Sequence, residues 1–436
     1  MAAATRRWRG ILAGLFGLAV AIALTKFGNP IIFKSLETAP ASIWEVLLAT
    51  WPATWSFQLA VILGILSVAA NWRHASLMPR PLFFLLAGWI FWVALSMSRS
   101  VDLELSQLTV KHFVSTTVLF FLAMMFLPSL REAKMFFRLM IFALAFTLWI
   151  GLDQHYGGLE ATRKTFYELP NWESFPAEYK LKIASNRIFG PFIYPNTLAG
   201  AILIWAPTLT LALWDWTRRL PSILQKVLVG LFAYIAAACF FWTGSKAGWL
   251  IAIAVFVVGL LHVKNLSRAT KIGIIAAVLV VGLAGFALKF RSYFEKGATS
   301  ASARMIYWKA AVQIANQHPL FGAGPGTFAK TFAPIKPPEA EMARLVHNDY
   351  LEQASDSGWP AFILFIGFVI TVMFFSHQTV TKSPYHLAAW LGVLGWSLQS
   401  FVEFGLYIPA ISWSAFALLG WLIGSRIDID SGRPGK

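Results

Sequence analysis

Runs of about 20 apolar residues recur along almost the whole chain, each long enough to cross a hydrocarbon layer about 30 Å thick. Backbone in lipid must satisfy its own N–H and C=O groups, so such runs fold as helices. The alternating apolar and polar strands of a lipid-facing barrel are absent from the sequence. The predicted fold class is therefore an all-α integral membrane protein. Twelve spans are predicted, near residues 8–27, 54–71, 81–98, 111–128, 135–151, 192–214, 227–243, 247–263, 272–289, 359–376, 386–404 and 408–425. Only 13% of the 436 residues are charged, about half the share of a soluble domain, which overrides a length-based expectation of two or three soluble domains. Residues 1–436 read as a single polytopic membrane domain.

Arg6, Arg7 and Arg9 followed by the apolar Ile11 to Leu24 resemble a secretory signal. No small-residue cleavage pattern precedes Thr25, Lys26 and Phe27, so this is read as an uncleaved first span. The single cysteine, Cys239, lies in an apolar run and is assigned to packing. The net charge of +16 would suit nucleic acid, but its distribution has a better account. Twelve spans put both termini on one side, where 18 Lys and Arg face four acids, Glu132, Asp215, Asp428 and Asp430; the other side has 18 against 16. Arg73, Arg80, Arg131, Lys134, Arg218, Arg219, Lys264, Arg268 and Lys271 lie in short connections. By the positive-inside rule, that side is cytoplasmic. No nucleic-acid partner is expected.

Two connections are long and predicted to lie outside: 152–190 and 290–358. In the first, Phe166, Tyr167, Trp172, Phe175 and Tyr179 suit either a headgroup belt or ligand contact. In the second, Ser302 to Gln317 reads as an interfacial helix, with Ile306, Ala310, Ile314 and Tyr307, Ala311 on neighbouring stripes. Ser300 or Ser302 would cap its start, and His318-Pro319 would end it. Another short interfacial helix is expected in 40–53, around Trp44, Leu47, Leu48 and Trp51. Residues 427–436 read as a frayed polar tail.

Charged residues beside apolar runs are costly and so are functional candidates. Arg187, Lys246, Arg304 and Glu403 are all expected on the outer face. Three cations at one mouth suit an anionic head such as a diphosphate; the plainer alternative is snorkelling to lipid headgroups. His347, beside Asn348 and Asp349, is the candidate general base, although a lone loop histidine is more often solvated. GAGPGTF mimics a dinucleotide fingerprint but follows a helix and lacks the third spacing, which leaves a turn or an anion-cradling nest. Asp102 and Glu104 are weak candidates for a divalent cation. No two histidines have metal-ligand spacing on a shared helical face, so no metal site is predicted.

Four segments, NRIFGPFIYPNTLAG at 186–200, FWTGSKAGWLIA at 241–252, SARMIYWKAAVQIANQHPLFGAGPGTF at 302–328 and HNDYLEQASDSGWPAFILF at 347–365, resemble the O-antigen ligase and polymerase superfamily of membrane glycosyltransferases. Their order, and the long helix-bearing loop between spans nine and ten, match that family. The resemblance implies a bacterial inner-membrane enzyme with both termini cytoplasmic and its active site facing the periplasm. It would transfer a glycan from an undecaprenyl-diphosphate carrier to an acceptor hydroxyl on lipid A core or a growing glycan. The family's essential arginine before the PN motif falls on Arg187, its loop-helix arginine on Arg304 and its essential histidine on His347. Lys246 stands where many members carry arginine, keeping the charge but losing bidentate geometry.

The implied mechanism is a metal-independent, inverting single displacement with no cofactor. His347 activates the acceptor while Arg187, Arg304 and Lys246 stabilise the departing diphosphate. Asn348 or Asp349 would orient the imidazole, and Asn196 would cap or bend its helix. The ligase branch is favoured over polymerase; the protein-glycosylating branch, which usually carries an extra C-terminal domain, is set aside. A transporter is the alternative from another class, and a metal-dependent transferase using Asp102 and Glu104 is a third.

Overall fold

The computed structural model describes residues 2–33, 39–71, 78–168, 172–175, 180, 183–295 and 298–430. Arg73, Tyr179 and the tail 431–436 lie outside the described residues.

In chain order the helices are α1 (Ala2–Lys26), α2 (Ile43–Leu48), α3 (Trp55–Asn71), α4 (Arg80–Ser96), α5 (Leu103–Phe126), α6 (Leu130–Asp153), α7 (Leu159–Tyr167), α8 (Pro195–Trp216) and α9 (Ser222–Trp242). Then follow α10 (Lys246–His262), α11 (Arg268–Lys289), α12 (Arg291–Glu295), α13 (Thr299–Gln317), α14 (Phe328–Phe332), α15 (Asp349–His377), α16 (Pro384–Gln399) and α17 (Pro409–Asp430). No strand occurs among the described residues. Among the described residues eight helices are long and apolar enough to cross a membrane, and Gly10–Lys26, Trp55–Ser67 and Lys246–His262 are shorter apolar helices. All of these fall on predicted spans; the predicted span 386–404 meets α16, which is 16 residues long. By this measure the structure supports eight spans where hydropathy predicts twelve.

Helix α17 is the central post. It packs against α1, α5, α8, α15 and α16, and 89% of its most apolar stretch is buried, whereas none of that of α11 is. Lipid tails are as apolar as leucine side chains, so packing rather than hydrophobicity brings such helices together. The seam between α17 and α5 shows how: a Cβ at Gly420 would overlap the carbonyl oxygen of Phe120, and one at Gly424 would overlap that of Met124. This small-xxx-small spacing allows backbone contact. Gly420→Leu is expected to force the helices apart at a cost of about 1–3 kcal/mol, measured as a lower thermal midpoint in detergent. An unchanged midpoint would mean the seam tolerates a side chain. Buried tryptophans fill the rest of this core, and two of them use their ring N–H groups to tie helices together: Trp89 donates to Gln353 Oε1 (2.9 Å) and Trp205 to Ser414 Oγ (2.9 Å).

Two boundaries differ from the sequence-based expectation. Helix α5 begins at Leu103, because Asp102 caps it by accepting from the Leu105 N–H at 3.1 Å. Helix α15 begins at Asp349, ten residues before the predicted span. Its first turns, DYLEQASDS, are polar yet buried by protein, a state that a hydropathy window cannot see. Gly358 (φ +80°) breaks this segment from the apolar remainder; a Cβ there would overlap the Leu320 carbonyl, so only glycine fits.

The loop helix is present as α13, with Tyr307, Ala310, Ala311, Ile314 and Ala315 buried and His318 ending it. Its cap differs from expectation: neither serine caps it, and Ala298 in the left-handed region begins it. The short helix α2 lies in 40–53 as expected, with Trp44 exposed. Of the first-loop aromatics, Tyr167, Trp172 and Phe175 pack on one another (ring centroids 5.0 and 5.6 Å).

Candidate active site at one end of the bundle

The segment before α8 is held from below by α6 and α7. Buried Gln154 accepts from the Phe189 and Gly190 N–H groups (2.9 and 2.8 Å) and donates to the Gly190 carbonyl (3.0 Å). Arg163 donates to the carbonyls of Ile183 (3.0 Å) and Ser185 (2.7 Å) and to Asn186 Oδ1 (2.7 Å). Arg187 is thereby fixed between two braced stretches. Neither Gln154 nor Arg163 is legible from sequence as a site-supporting residue, because the groups they brace lie 20 or more residues away.

Arg187 donates through Nε to the Thr243 carbonyl (2.6 Å) and through Nη2 to Asn196 Oδ1 (2.7 Å). Asn196 then donates through Nδ2 to Glu403 Oε1 (2.6 Å), which also accepts from Arg304 Nη2 (2.5 Å). The other carboxylate oxygen, Glu403 Oε2, lies 3.5 Å from His347 Nδ1. Four elements far apart in sequence therefore meet on one carboxylate. Asn196 does not cap its helix, as the sequence implied; Tyr194 is the N-cap without a side-chain bond, and Asn196 bridges Arg187 to Glu403.

Burial alone would raise the Glu403 carboxyl, but the Arg304 charge and the hydrogen bonds from His347 and Asn196 outweigh it and hold it at about 2. Glu403 is thus an anion at any physiological pH. Burial lowers the Arg187 guanidinium to about 10, with Glu403 opposing and Arg304 adding to the shift; it stays charged at neutral pH. Lys246 does not bond into this network. Its Nζ lies 4.2 Å from the Tyr293 ring centroid, close enough to Arg187 and Arg304 to feel their charge. Lys289, unassigned from sequence, donates to the Phe241 carbonyl (2.6 Å) and also lies in the field of Arg187. One carboxylate among four cations leaves a positive surplus, the electrostatics of an anion site.

His347 is mostly buried, with 15% of its side chain exposed, and packs edge-on to Phe404 (4.7 Å) and face-on to Tyr307 (6.0 Å). Its backbone is left-handed, φ +56°, a conformation that is uncommon for a non-glycine residue and gathers at functional sites. Trp308 holds it by donating to the His347 carbonyl (3.3 Å).

The expected orienting role of Asn348 or Asp349 is corrected by geometry. Asn348 Oδ1 caps α15 by accepting from the Tyr350 and Leu351 N–H groups (3.1 and 3.0 Å). The buried Asp349 carboxylate accepts from the Leu406 N–H (3.1 Å), while the Asp349 N–H donates to the Ser400 carbonyl (2.8 Å). Both bonds fasten the start of α15 to the turn bearing Glu403. The residue beside the imidazole is Glu403.

The nest of GAGPGTF is filled by a side chain of the protein itself. Asp356 accepts from the Gly326 N–H (2.6 Å) and the Tyr407 hydroxyl (2.7 Å). Gly322, Gly324 and Gly326 all have positive φ, and the Ala323 and Gly324 N–H groups donate to the Ser355 and Asp356 carbonyls. This loop therefore clamps α15. Asp102, the cap of α5, pairs with Lys330 at 3.6 Å, so its carboxylate ties α5 to α14. Among the described residues no group of three or more His, Cys, Asp or Glu side chains has metal-binding geometry.

No curated protein matches the chain. Residues 231–366, which carry Lys246, Lys289, Arg304 and His347, match the family model described as O-antigen ligase.

Proposed function

We propose that the protein is a periplasmic glycosyltransferase of the O-antigen ligase type, transferring a glycan from undecaprenyl diphosphate to a hydroxyl of lipid A core. The observation that carries this reading is the convergence of Arg187, Arg304 and His347 on Glu403 at one end of the bundle. In the bacterial inner membrane this end would face the periplasm. The start of α1 and the end of α17 lie at the opposite end, which the basic excess makes cytoplasmic.

The donor diphosphate meets Arg187, Arg304 and Lys246, with Lys289 adding to the field. The acceptor oxygen attacks the anomeric carbon as its proton passes to His347; the bond from that carbon to the diphosphate oxygen breaks, and undecaprenyl diphosphate leaves with the electron pair. Cations fixed in advance stabilise the charge that develops on the leaving group, so the step needs no metal, and the anomeric configuration inverts. Glu403 orients the imidazole and balances the imidazolium. It also holds Arg304 and, through Asn196, Arg187 in place before substrate arrives.

The test is transfer by purified protein from an undecaprenyl-diphosphate-linked glycan, with lipid A core as acceptor and chelator present. Glycan on lipid A core is expected. Longer glycan on the lipid carrier would make the protein a polymerase. Abolition by chelator would return attention to a metal mechanism. Donor movement across proteoliposomes without transfer would make it a transporter.

A further inference from the structure

At the far end of the bundle from the candidate site, α10 and α15 end on two histidines 115 residues apart in sequence. His262 Nε2 faces His377 Nε2 at 3.1 Å. The opposite nitrogen of His262, Nδ1, lies 2.8 Å from the Val258 carbonyl oxygen. A carbonyl can only accept, so Nδ1 carries the proton and Nε2 of the neutral ring presents a lone pair. An imidazole whose second nitrogen donates to a backbone carbonyl is the usual state of a metal-bound histidine.

The separation fits as well. Two nitrogens about 2.0–2.1 Å from one tetrahedral ion lie about 3.3 Å apart, within a few tenths of an ångström of the observed distance. Both rings rest against Trp390, at 6.0 Å from His262 and 5.1 Å from His377, and the indole is itself held by a bond to the Met373 carbonyl (3.0 Å). His377 is exposed and His262 partly so, leaving access for an ion and for water at its other positions. Spacing on one helix could not reveal this pair, because the ligands come from two helix ends.

We propose that His262 and His377 form a binding site for a divalent first-row transition metal of imidazole preference, Zn2+ or Cu2+. The ion would join the ends of α10 and α15. Catalysis has no part in this, since both helices run from the candidate site through the bundle before they reach the pair.

The test is calorimetric titration of Zn2+ into the full-length protein, chelator-stripped, in detergent and without a polyhistidine tag. A saturable site is expected, weakened at least tenfold by either His262→Ala or His377→Ala and unchanged by His318→Ala, which removes an exposed histidine elsewhere. In parallel, Cu2+ resonance spectra should show two equivalent nitrogen couplings in the wild type and lose them in either pair variant. Absence of saturable binding, or binding that survives His377→Ala, would overturn the proposal and leave the contact as an N–H···N hydrogen bond. Glycan transfer under chelator is expected to persist with the pair emptied, so failure of this proposal and failure of the transferase reading are separable.

Discussion

His347→Ala is expected to lower the turnover of glycan transfer by about 10²–10⁴-fold, the usual contribution of a positioned general base. The loss should fall on kcat with little change in donor KM, because the cations that would hold the diphosphate are untouched. Folding should survive: the bond from Trp308 reaches the backbone carbonyl of residue 347, and Asn348 still caps α15. Transfer within tenfold of wild type, in a variant of unchanged thermal midpoint, would mean that His347 is not the base. Arg304 on α13 or water would then have to be reconsidered as the group that handles the acceptor.

Glu403→Gln should be the most destabilising single change at the site, although it only exchanges one oxygen for an NH2 group. The carboxylate is 7% exposed and neutralises Arg304 directly. Removing one partner of a buried pair costs about 3–5 kcal/mol, because the other charge stays buried and uncompensated. The depressed carboxyl gives the same magnitude: held at about 2 rather than its ordinary 4.5, it contributes on the order of 3 kcal/mol at neutral pH. The folded value is the depressed one, so this stabilisation is complete above about pH 4.5 and disappears as the pH falls towards 2. The gap in thermal midpoint between wild type and Glu403→Gln should therefore be large at pH 7 and shrink steadily below pH 4.5. A gap independent of pH over that range would show that Glu403 acts through shape rather than charge. Combining Glu403→Gln with Arg304→Gln should recover part of the loss, since contacting residues are not additive.

Much of the architecture could be read from local patterns. The long apolar helices fall on predicted spans, the loop helix predicted at Ser302 to Gln317 is Thr299–Gln317, and its end at His318 is as expected. Arg187, Lys246, Arg304 and Glu403 stand out because a charge beside an apolar run is costly wherever it lies, and His347 because an imidazole outside the membrane can act as a base. What local pattern could not supply was the pairing. Asn348 and Asp349 are the sequence neighbours of His347, so they are the natural orienting groups, yet a helix start consumes the first as a cap and the Leu406 N–H, 57 residues on, takes the second. GAGPGTF reads from sequence as either a turn or an anion-cradling nest, because its internal occupant, Asp356, lies 30 residues on.

The sequence by itself determined that this chain is a bundle of apolar helices with costly charges beside their ends, since length, hydropathy and charge cost are properties of each segment alone. The tertiary structure alone decided which groups act on one another. Glu403 meets Arg304 across 99 residues and Asn196 across 207, and the seam at Gly420 and the contact between His262 and His377 likewise join separate helices. Such contacts form only when whole helices pack, because a buried charge or lone pair takes the partner that packing brings to it, however distant in sequence.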